Sequence, residues 1–541
     1  MARTPLFSRL LETLRVAGSP RSAAEALDED RARMSRRAAL KIGALGAASL
    51  AGASLLGCAS PTSDGPDGPA SLGQNRAGIV GITADIGIVG AGIAGLSCAY
   101  ELKRAGVVAT LHDANTRPGG RIWSLNGLFP GQTIERGGEL IDTPHKTMIG
   151  YARELGLTLE DVSKPMRNTF YNFCGHAIAE TTMVDEYRVL VDAMRNDLRL
   201  LGSPTADSFT PFDRQLDNMS LRQYLDSRGA PPNIKKLLNV AYTIEYGRES
   251  DQQSCLAWLL FMKASRQSKL RLWGNFSDER YHVVGGNQQI PDGLAARLPG
   301  QINLGRKLVA VRKLASGRIE LTFKEGSRTV TATHDAVVLA LPFNLLREVD
   351  LSATLNLPAS KRFAIQNTVY GTNAKLMVGF TGRPWVEVGA NGAAYSDMPY
   401  LQCTWETNPI NANETRGVIT DFTGGNLGIA LGGLSVQQNA ENFLDNFNVV
   451  YPGAKARARR DASGKYIAHL QHWPSDPLTK GSYTANAPGY FTNIAGNEGK
   501  SVGNLYFAGE TTDSFYSWQG FMEGGALSGL RVMNEIVRDL G

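Results

Sequence analysis

Three glycines, Gly90, Gly92 and Gly95, stand in G-x-G-x-x-G spacing. An acidic residue, Asp113, follows about 20 positions on. The apolar run 86–89 ahead of the glycines is too short for a helix and reads as a buried strand. Leu96, Ala99, Tyr100 and Leu102 then share one helical face, and a second apolar run, 107–111, ends at His112 and Asp113. A strand–turn–helix–strand unit of this kind binds dinucleotides. Its glycines tighten the turn and let backbone N–H groups approach a pyrophosphate at the positive end of the helix. The carboxylate accepts hydrogen bonds from a ribose diol. The glycine spacing alone is weak evidence; between two strand patterns, with Asp113 in place, it is strong.

Arg117, Gly119, Gly120 and Arg121 follow as R-x-G-G-R. This arrangement resembles the second glycine motif of FAD-binding oxidoreductases, which NAD dehydrogenases do not usually carry. Further on, Gly137 and Gly138 in the stretch 134–142 suit a close backbone approach to a flavin.

The elements that must position these residues belong to a long chain. Its 541 residues allow two domains or more, and a hydrophobic content of 43% is ordinary for a soluble globular protein. The net charge of +5 is concentrated at one end, since residues 1–57 hold nine Lys and Arg against five Asp and Glu. The remainder is nearly neutral, so the charge gives no reason to expect nucleic-acid binding. Beyond Cys58, Cys98, Cys174, Cys255 and Cys403 fit neither a metal site nor a disulfide scaffold, and the His residues are scattered. Cys98 falls on the first helix as a core residue. An oxidising compartment would permit one disulfide.

The N-terminus is a targeting region rather than part of the fold. Ser35-Arg36-Arg37-Ala38-Ala39-Leu40-Lys41 reads as a twin-arginine export signal, followed by an uncharged run, 42–57, short for a membrane span. Leu55-Leu56-Gly57-Cys58 resembles a bacterial lipobox, which implies a lipid anchor at Cys58; a plain exported protein is the alternative. The expected location is the periplasm, free or as a membrane-anchored lipoprotein. The twin-arginine route carries folded proteins, often with a cofactor already bound, which suits a flavoprotein. Residues 58–81, rich in Ser, Pro, Gly and Asp, read as a flexible linker.

Beyond the first unit, a helix is expected over 145–155. The stretch 165–271 is mostly helical, with apolar spacing in 187–201, 220–228 and 254–263. A hairpin pattern covers 302–311 and 318–323, and a buried strand covers 336–341, closed by Pro342. Strand patterns recur at 375–380 and 418–423, then at 504–510 before a final helix over 521–540. The expected class is α/β and α+β. A discontinuous FAD-binding Rossmann-like domain (82–164, 272–342 and 459–541) carries an inserted substrate-binding domain of mixed sheet and helices (165–271 and 343–458).

Five ordered motifs carry a resemblance over roughly residues 82–541: Gly90 to Gly95, Arg117 to Arg121, Val283-Val284-Gly285-Gly286-Asn287, Leu505 to Glu510, and Trp518 to Gly524. The chain resembles the flavin-containing amine oxidase family of monoamine, polyamine and L-amino-acid oxidases. The resemblance implies oxidative deamination of a small amine or amino acid, with FAD as cofactor and oxygen as acceptor, giving an imine or carbonyl compound, ammonia and peroxide. It implies that Lys375, in the stretch 371–380, reaches the flavin through a water. It makes Tyr483 and Phe521 the two walls of an aromatic cage, with Trp518 able to replace one wall if the register differs. Trp473 would pack near the flavin ring. The carried-over cofactor contacts are Ala94, Asp113, Arg121, Gly138, Glu139, Val309, Gly509, Glu510 and Met522, with the glycines of both motifs. Val309 would pair its backbone with adenine, Arg121 would neutralise phosphate or flavin oxygen, and Glu510 would hold the ribityl or pyrophosphate region.

Two departures from the family pattern matter. Ser482 stands where monoamine oxidases carry a flavin-linking Cys, and a hydroxyl cannot form that thioether, so noncovalent FAD is expected. Leu140 stands where many L-amino-acid oxidases carry an Arg for the substrate carboxylate. Glu139 beside it would attract a second cationic group or serve as a structural carboxylate, and Arg167 is an alternative clamp. Tryptophan 2-monooxygenase-type decarboxylation and a non-catalytic exported flavin-binding protein are the competing readings.

Overall fold

The computed structural model describes residues 81–162, 168–264, 279–409, 415–513 and 518–541. The twin-arginine segment, Cys58, nearly all of the linker, and Arg167 lie outside the described residues.

The core around the glycine motif is a five-stranded, all-parallel sheet. Its order is Leu505–Phe507, Ala336–Leu339, Ile86–Val89, Ala109–His112 and Ile302–Asn303. Ile86–Val89 and Ala336–Leu339 are buried at every position, the pattern of strands covered on both faces. The helix Ile93–Arg104 follows the glycine turn, and the C-terminal helix Met522–Leu540 packs against it. Glycines set that approach: a Cβ on Gly529 would lie 2.3 Å from the Ala94 carbonyl oxygen and 2.9 Å from the Cys98 nitrogen.

A second sheet has seven strands, in the order Ala468–His472, Ala374–Gly379, Val418–Thr423, Leu401–Glu406, Ala390–Met398, Asn168–Phe173 and His176–Ile178. Helix Pro232–Tyr246 packs on the strands Ala390–Met398 and Leu401–Glu406, while helix Val436–Val450 packs on Ala374–Gly379 and Ala468–His472. The helices Glu180–Leu200, Leu221–Ser227 and Cys255–Ala264 fall where apolar spacing placed them. Ser220 and Ser435 begin their helices with capping boxes, each hydroxyl accepting from a backbone N–H three residues on.

Two details differ from the sequence reading. Ala468–His472, assigned by sequence to the cofactor-binding segments, pairs with Ala374–Gly379 in the seven-stranded sheet. Strand periodicity says which face a residue takes but not which strand is its neighbour. The expected hairpin strand over 302–311 is broken: Ile302–Asn303 joins the parallel sheet and Lys307–Lys313 joins a separate four-stranded sheet. Gly305, at φ +75°, lies between them.

The tight helix contact at Gly529 yields a prediction. Gly529→Leu drives a side chain into the backbone of the facing helix and is expected to cost about 3 kcal/mol or more, read as a lowered midpoint in chemical denaturation.

Candidate active site

One cavity runs from the glycine turn to the seven-stranded sheet, and its wall includes Gly90, Gly92, Ala94, Asp113, Gly119, Gly120, Arg121, Gly138, Glu139, Lys375, Trp473, Tyr483, Gly509, Glu510, Phe521 and Met522. At the nucleotide end, Asp113 accepts from the Ala91 N–H at 2.6 Å and the Asn115 N–H at 2.7 Å. Burial pushes its carboxyl up, and these donors, with Arg117, oppose that. A Cβ on Gly95 would sit 1.9 Å from the Gly90 carbonyl oxygen, so only hydrogen fits there. A Cβ on Gly92, or on Gly509 at φ +123°, would meet nothing within 4 Å. Both glycines line the cavity, so bare backbone faces open space where a pyrophosphate and flavin would be cradled. The residues present therefore fit a flavin dinucleotide.

The two arginines of R-x-G-G-R do different work. The Arg117 guanidinium donates to the carbonyls of Pro118, Gly120 and Ile122 and lies 4.0 Å from the Trp123 ring centroid, so it braces its own turn. Arg121 reaches across, donating to the Ser482 carbonyl at 2.7 Å and to Glu510 Oε1 at 3.0 Å. Glu510 also accepts from the Thr484 N–H and hydroxyl, and its Oε2 accepts from the Gly520 N–H at 2.8 Å. Two residues expected to touch the cofactor thus also hold each other. The Ser482 hydroxyl donates to Asn373 Oδ1 at 2.6 Å.

Lys375 extends from the strand Ala374–Gly379 and is 5% exposed. Its ammonium donates to Glu139 Oε2 at 2.7 Å, to the Gly137 carbonyl at 2.8 Å and to the Glu135 carbonyl at 3.2 Å. These match the three hydrogens of an ammonium. The other oxygen of Glu139 accepts from the Trp405 indole N–H at 2.9 Å. Glu139 is accordingly a structural carboxylate: it orients a cation and an aromatic wall at once. Neighbouring Glu135 is pushed up to about 8 by burial, opposed by donors from Asn287 and Ser124. A Cβ on Gly137 would lie 1.8 Å from the Arg121 carbonyl oxygen, and one on Gly138 would lie 2.7 Å from the Met522 sulfur. That close packing brings the 135–139 backbone within reach of Lys375.

Tyr483 and Phe521 line the same cavity. The Tyr483 hydroxyl donates to the Glu245 carbonyl at 2.9 Å, which orients its ring. Phe521 stands at the N-cap of the final helix and meets His145 edge-on, ring centroids 5.4 Å apart. Trp518 does not line the cavity; it packs against Phe521 at 6.0 Å and His145 at 4.7 Å, behind the wall. Burial pushes His145 down to about 3, so the imidazole between these rings is neutral. Trp473 lines the cavity, its indole N–H donating to the Arg136 carbonyl at 3.2 Å. Val309 lies outside the cavity wall, at a β-bulge in Lys307–Lys313.

Sequence reasoning missed Trp405, Phe422, Asn373, Asp142 and Glu279, all of which line the cavity. Asn373 had a signal, since it lies two residues from Lys375 and strand alternation puts both on one face. Phe422 is the direct cross-strand partner of Lys375, a pairing that no single stretch of sequence discloses. The Glu279 N–H donates to Asp142 Oδ1 at 2.7 Å, joining two wall carboxylates from distant segments. Leu140 lines the cavity. Among the described residues, the only arginines on the wall are Arg117 and Arg121.

The chain is similar to known flavin-dependent oxidases. An L-amino-acid oxidase of Naja atra is 23% identical over 470 residues, covering 83% of this chain and 87% of that protein. A putative flavin-containing monoamine oxidase, AofH, of Mycobacterium tuberculosis is 24% identical over 465 residues, covering 84% of this chain and 96% of that protein. Among solved structures, putrescine oxidase bound to putrescine shares the fold with a TM-score of 0.71 at 21% identity, over 84% of this chain and 99% of that one. Cyclohexylamine oxidase from Brevibacterium oxydans gives 0.72 at 22% identity, with the same coverage. The model of the flavin containing amine oxidoreductases matches residues 93–537, and with the glycine cradle, the buried lysine and the aromatic wall in one cavity, the chain belongs to that family.

Proposed function

We propose that this protein is an exported oxidase with noncovalently bound FAD, which converts an amine, water and oxygen to a carbonyl compound, ammonia and hydrogen peroxide. The observation that carries the reading is the buried Lys375, held by Glu139 and the Gly137 carbonyl, in the cavity that Tyr483 and Phe521 wall. FAD supplies the two-electron acceptor that no protein side chain offers. The protein contributes position and electrostatics.

Tyr483, Phe521, Trp405 and Phe422 exclude water from the reacting carbon and nitrogen. A dry pocket disfavours the ammonium form of a substrate, and the neutral amine is the form that gives up hydride readily. Lys375 presents a positive charge whose position cannot drift, because each of its hydrogens is engaged. Leu140, Asp142 and Glu279 on the wall favour an amine over an amino acid, since an apolar group and two carboxylates receive a substrate carboxylate poorly. The putrescine and cyclohexylamine oxidases of the same fold are consistent with that choice.

Noncovalent attachment is supported by Ser482 at the position of the flavin-linking cysteine, its hydroxyl engaged with Asn373. Cys98, Cys255 and Cys403 are buried and Cys174 is exposed, and none lines the cavity. Arg36 and Arg37 ahead of an uncharged run support a reading as an exported, already folded holoprotein, with Cys58 as the site of a lipid anchor.

Peroxide release from the purified holoprotein with putrescine, spermidine, phenylethylamine, L-lysine, L-phenylalanine and L-tryptophan tests the activity. Turnover of an amine above any of the amino acids is expected; silence across the panel in a flavin-loaded protein would leave a binding module, and an amide product would indicate decarboxylating monooxygenation. Lys375→Met is expected to slow the oxygen half-reaction about a hundredfold and the amine half-reaction far less in stopped-flow traces. The same substitution leaves Glu139 buried without its cation and should lower stability by about 3–5 kcal/mol. Acid precipitation is expected to leave yellow cofactor in the supernatant; colour retained in the pellet would refute noncovalent binding.

A further inference from the structure

Behind the cavity lies a buried chain of polar groups that the proposed chemistry does not use. Glu498 is fully buried and is not on the cavity wall. Its Oε2 accepts from the Gly496 N–H at 2.8 Å, and its Oε1 accepts from the Tyr490 hydroxyl. The Tyr490 oxygen accepts in turn from Gln519 Nε2 at 2.7 Å. Gln519 also donates to the Thr511 carbonyl at 2.9 Å and accepts from Asn486 Nδ2 at 3.1 Å. The next residue, Gly520, donates its N–H to Glu510 Oε2, and the one after it is the wall residue Phe521. Glu498, Tyr490 and Gln519 therefore form a relay that ends on the segment presenting Phe521.

We propose that Glu498 is a positioning residue of the active site: its ionised carboxylate, acting through Tyr490 and Gln519, holds Phe521 against the cavity and the Gly520 N–H on Glu510. The role of Phe521 as a substrate wall rests on the amine-oxidase reading; the relay itself does not.

The physical basis is directional. An ionised carboxylate only accepts, so the Tyr490 hydroxyl hydrogen must point at Glu498 and its oxygen is left to receive Gln519. Successive bonds in such a chain polarise one another. A protonated Glu498 brings its own O–H to the same place. The Tyr490 hydrogen then turns elsewhere, and the bond from Gln519 to the Tyr490 oxygen loses the polarisation that the anion gave it. Burial pushes Glu498 up to about 7, against the Tyr490 and Gly496 bonds and the nearby Lys361, so the change falls near neutral pH.

Other groups face this cluster. Lys361, from the helix Ala359–Asn367, donates to the Glu498 main-chain carbonyl at 2.6 Å and stands 4.0 Å from the Phe507 ring centroid. Burial pushes it down to about 7, with Glu498 and Glu535 opposing and Arg531 and Lys500 reinforcing. Arg531, on the C-terminal helix, donates to the Gly499 carbonyl at 3.1 Å and to Glu535 at 2.7 Å. Lys500 turns outward to Asp207 at 2.6 Å. Among the described residues no carboxylate is bonded directly to the Lys361 ammonium, so falling pH adds positive charge there while it removes negative charge from Glu498.

The test titrates the flavin absorbance of the FAD-loaded full chain over about two pH units either side of 7. It is paired with kcat/KM for the best amine of the panel over the same range. Expected is a spectral transition with a midpoint near neutrality, matched by an acid-side fall of kcat/KM steeper in the unaltered protein than in either variant below, where protonation of the substrate amine alone sets the slope. Glu498→Gln, which keeps the shape, and Tyr490→Phe, which keeps the packing and cuts the relay, should each abolish the spectral transition while FAD content is retained. A transition absent from the unaltered protein, or persisting at the same pH in either variant, overturns the proposal. If one variant fails to fold, the other decides. A spectral transition that behaves as expected in a protein without oxidase activity would uphold the relay and reject the amine-oxidase reading.

Discussion

A single buried ammonium holds the site together. Lys375 comes from the seven-stranded sheet, and all three of its acceptors come from the 135–139 stretch, outside that sheet. Taking a lysine and a glutamate out of water costs several kcal/mol per ion, and the loss is offset only where geometry is good and every remaining donor and acceptor is satisfied. Here one Glu139 oxygen takes the lysine and the other takes the Trp405 indole, while two backbone carbonyls complete the ammonium. Such a pair is a poor source of net stability and a strong source of specificity, because any shift of one element against the other strands a charge.

That constraint explains the glycines around it. Gly137 passes so close to the Arg121 carbonyl that no side chain fits there, Gly138 packs on Met522, and this closeness delivers the carbonyl of Gly137 to Lys375. Glu510 performs a similar service on the other side. Its carboxylate receives Arg121, Thr484 and the Gly520 backbone, binding residues that are remote in sequence into one wall. The open backbone at Gly92 and Gly509 is left facing the cavity between these two anchors. Rigid surroundings and backbone that a ligand can approach closely are what a bound dinucleotide requires.

The chemical character of the wall follows from what these anchors leave exposed. One fixed positive charge lies among Trp405, Phe422, Tyr483 and Phe521, with the Lys375 nitrogen about 6 Å from the first two ring centroids. His145, buried against Phe521 and Trp518, is neutral and adds no charge. Asp142 and Glu279 bring negative character to the same cavity. Positive charge, apolar faces and carboxylates are thus separated within a small volume, an arrangement suited to a polar head on an otherwise apolar or cationic substrate.

Much of this was legible in the chain alone, for reasons of locality. The glycine turn, its strands and helix, Asp113 and the R-x-G-G-R turn lie within a few dozen residues, and their roles follow from backbone sterics and short-range periodicity. Lys375, Tyr483, Phe521, Trp473, Arg121 and Glu510 were reached through the resemblance to the amine oxidases, and the fold brings all of them to one cavity. Contacts that depend on pairing between distant segments were not legible. Trp518 was only a substitute wall by sequence, in case the register differed, and it packs behind Phe521, which lines the cavity. Glu139 was read as a carboxylate of undecided use, and only the strand carrying Lys375 gives it a cation to hold. Phe422 faces Lys375 by cross-strand register, and the strand Ala468–His472 joins the larger sheet through main-chain hydrogen bonds that carry no side-chain signature. Local steric and periodic preferences are written in consecutive residues. Which charge meets which, and which ring closes a cavity, is decided when segments hundreds of residues apart are brought within a few ångströms, where desolvation makes one pairing far better than the rest.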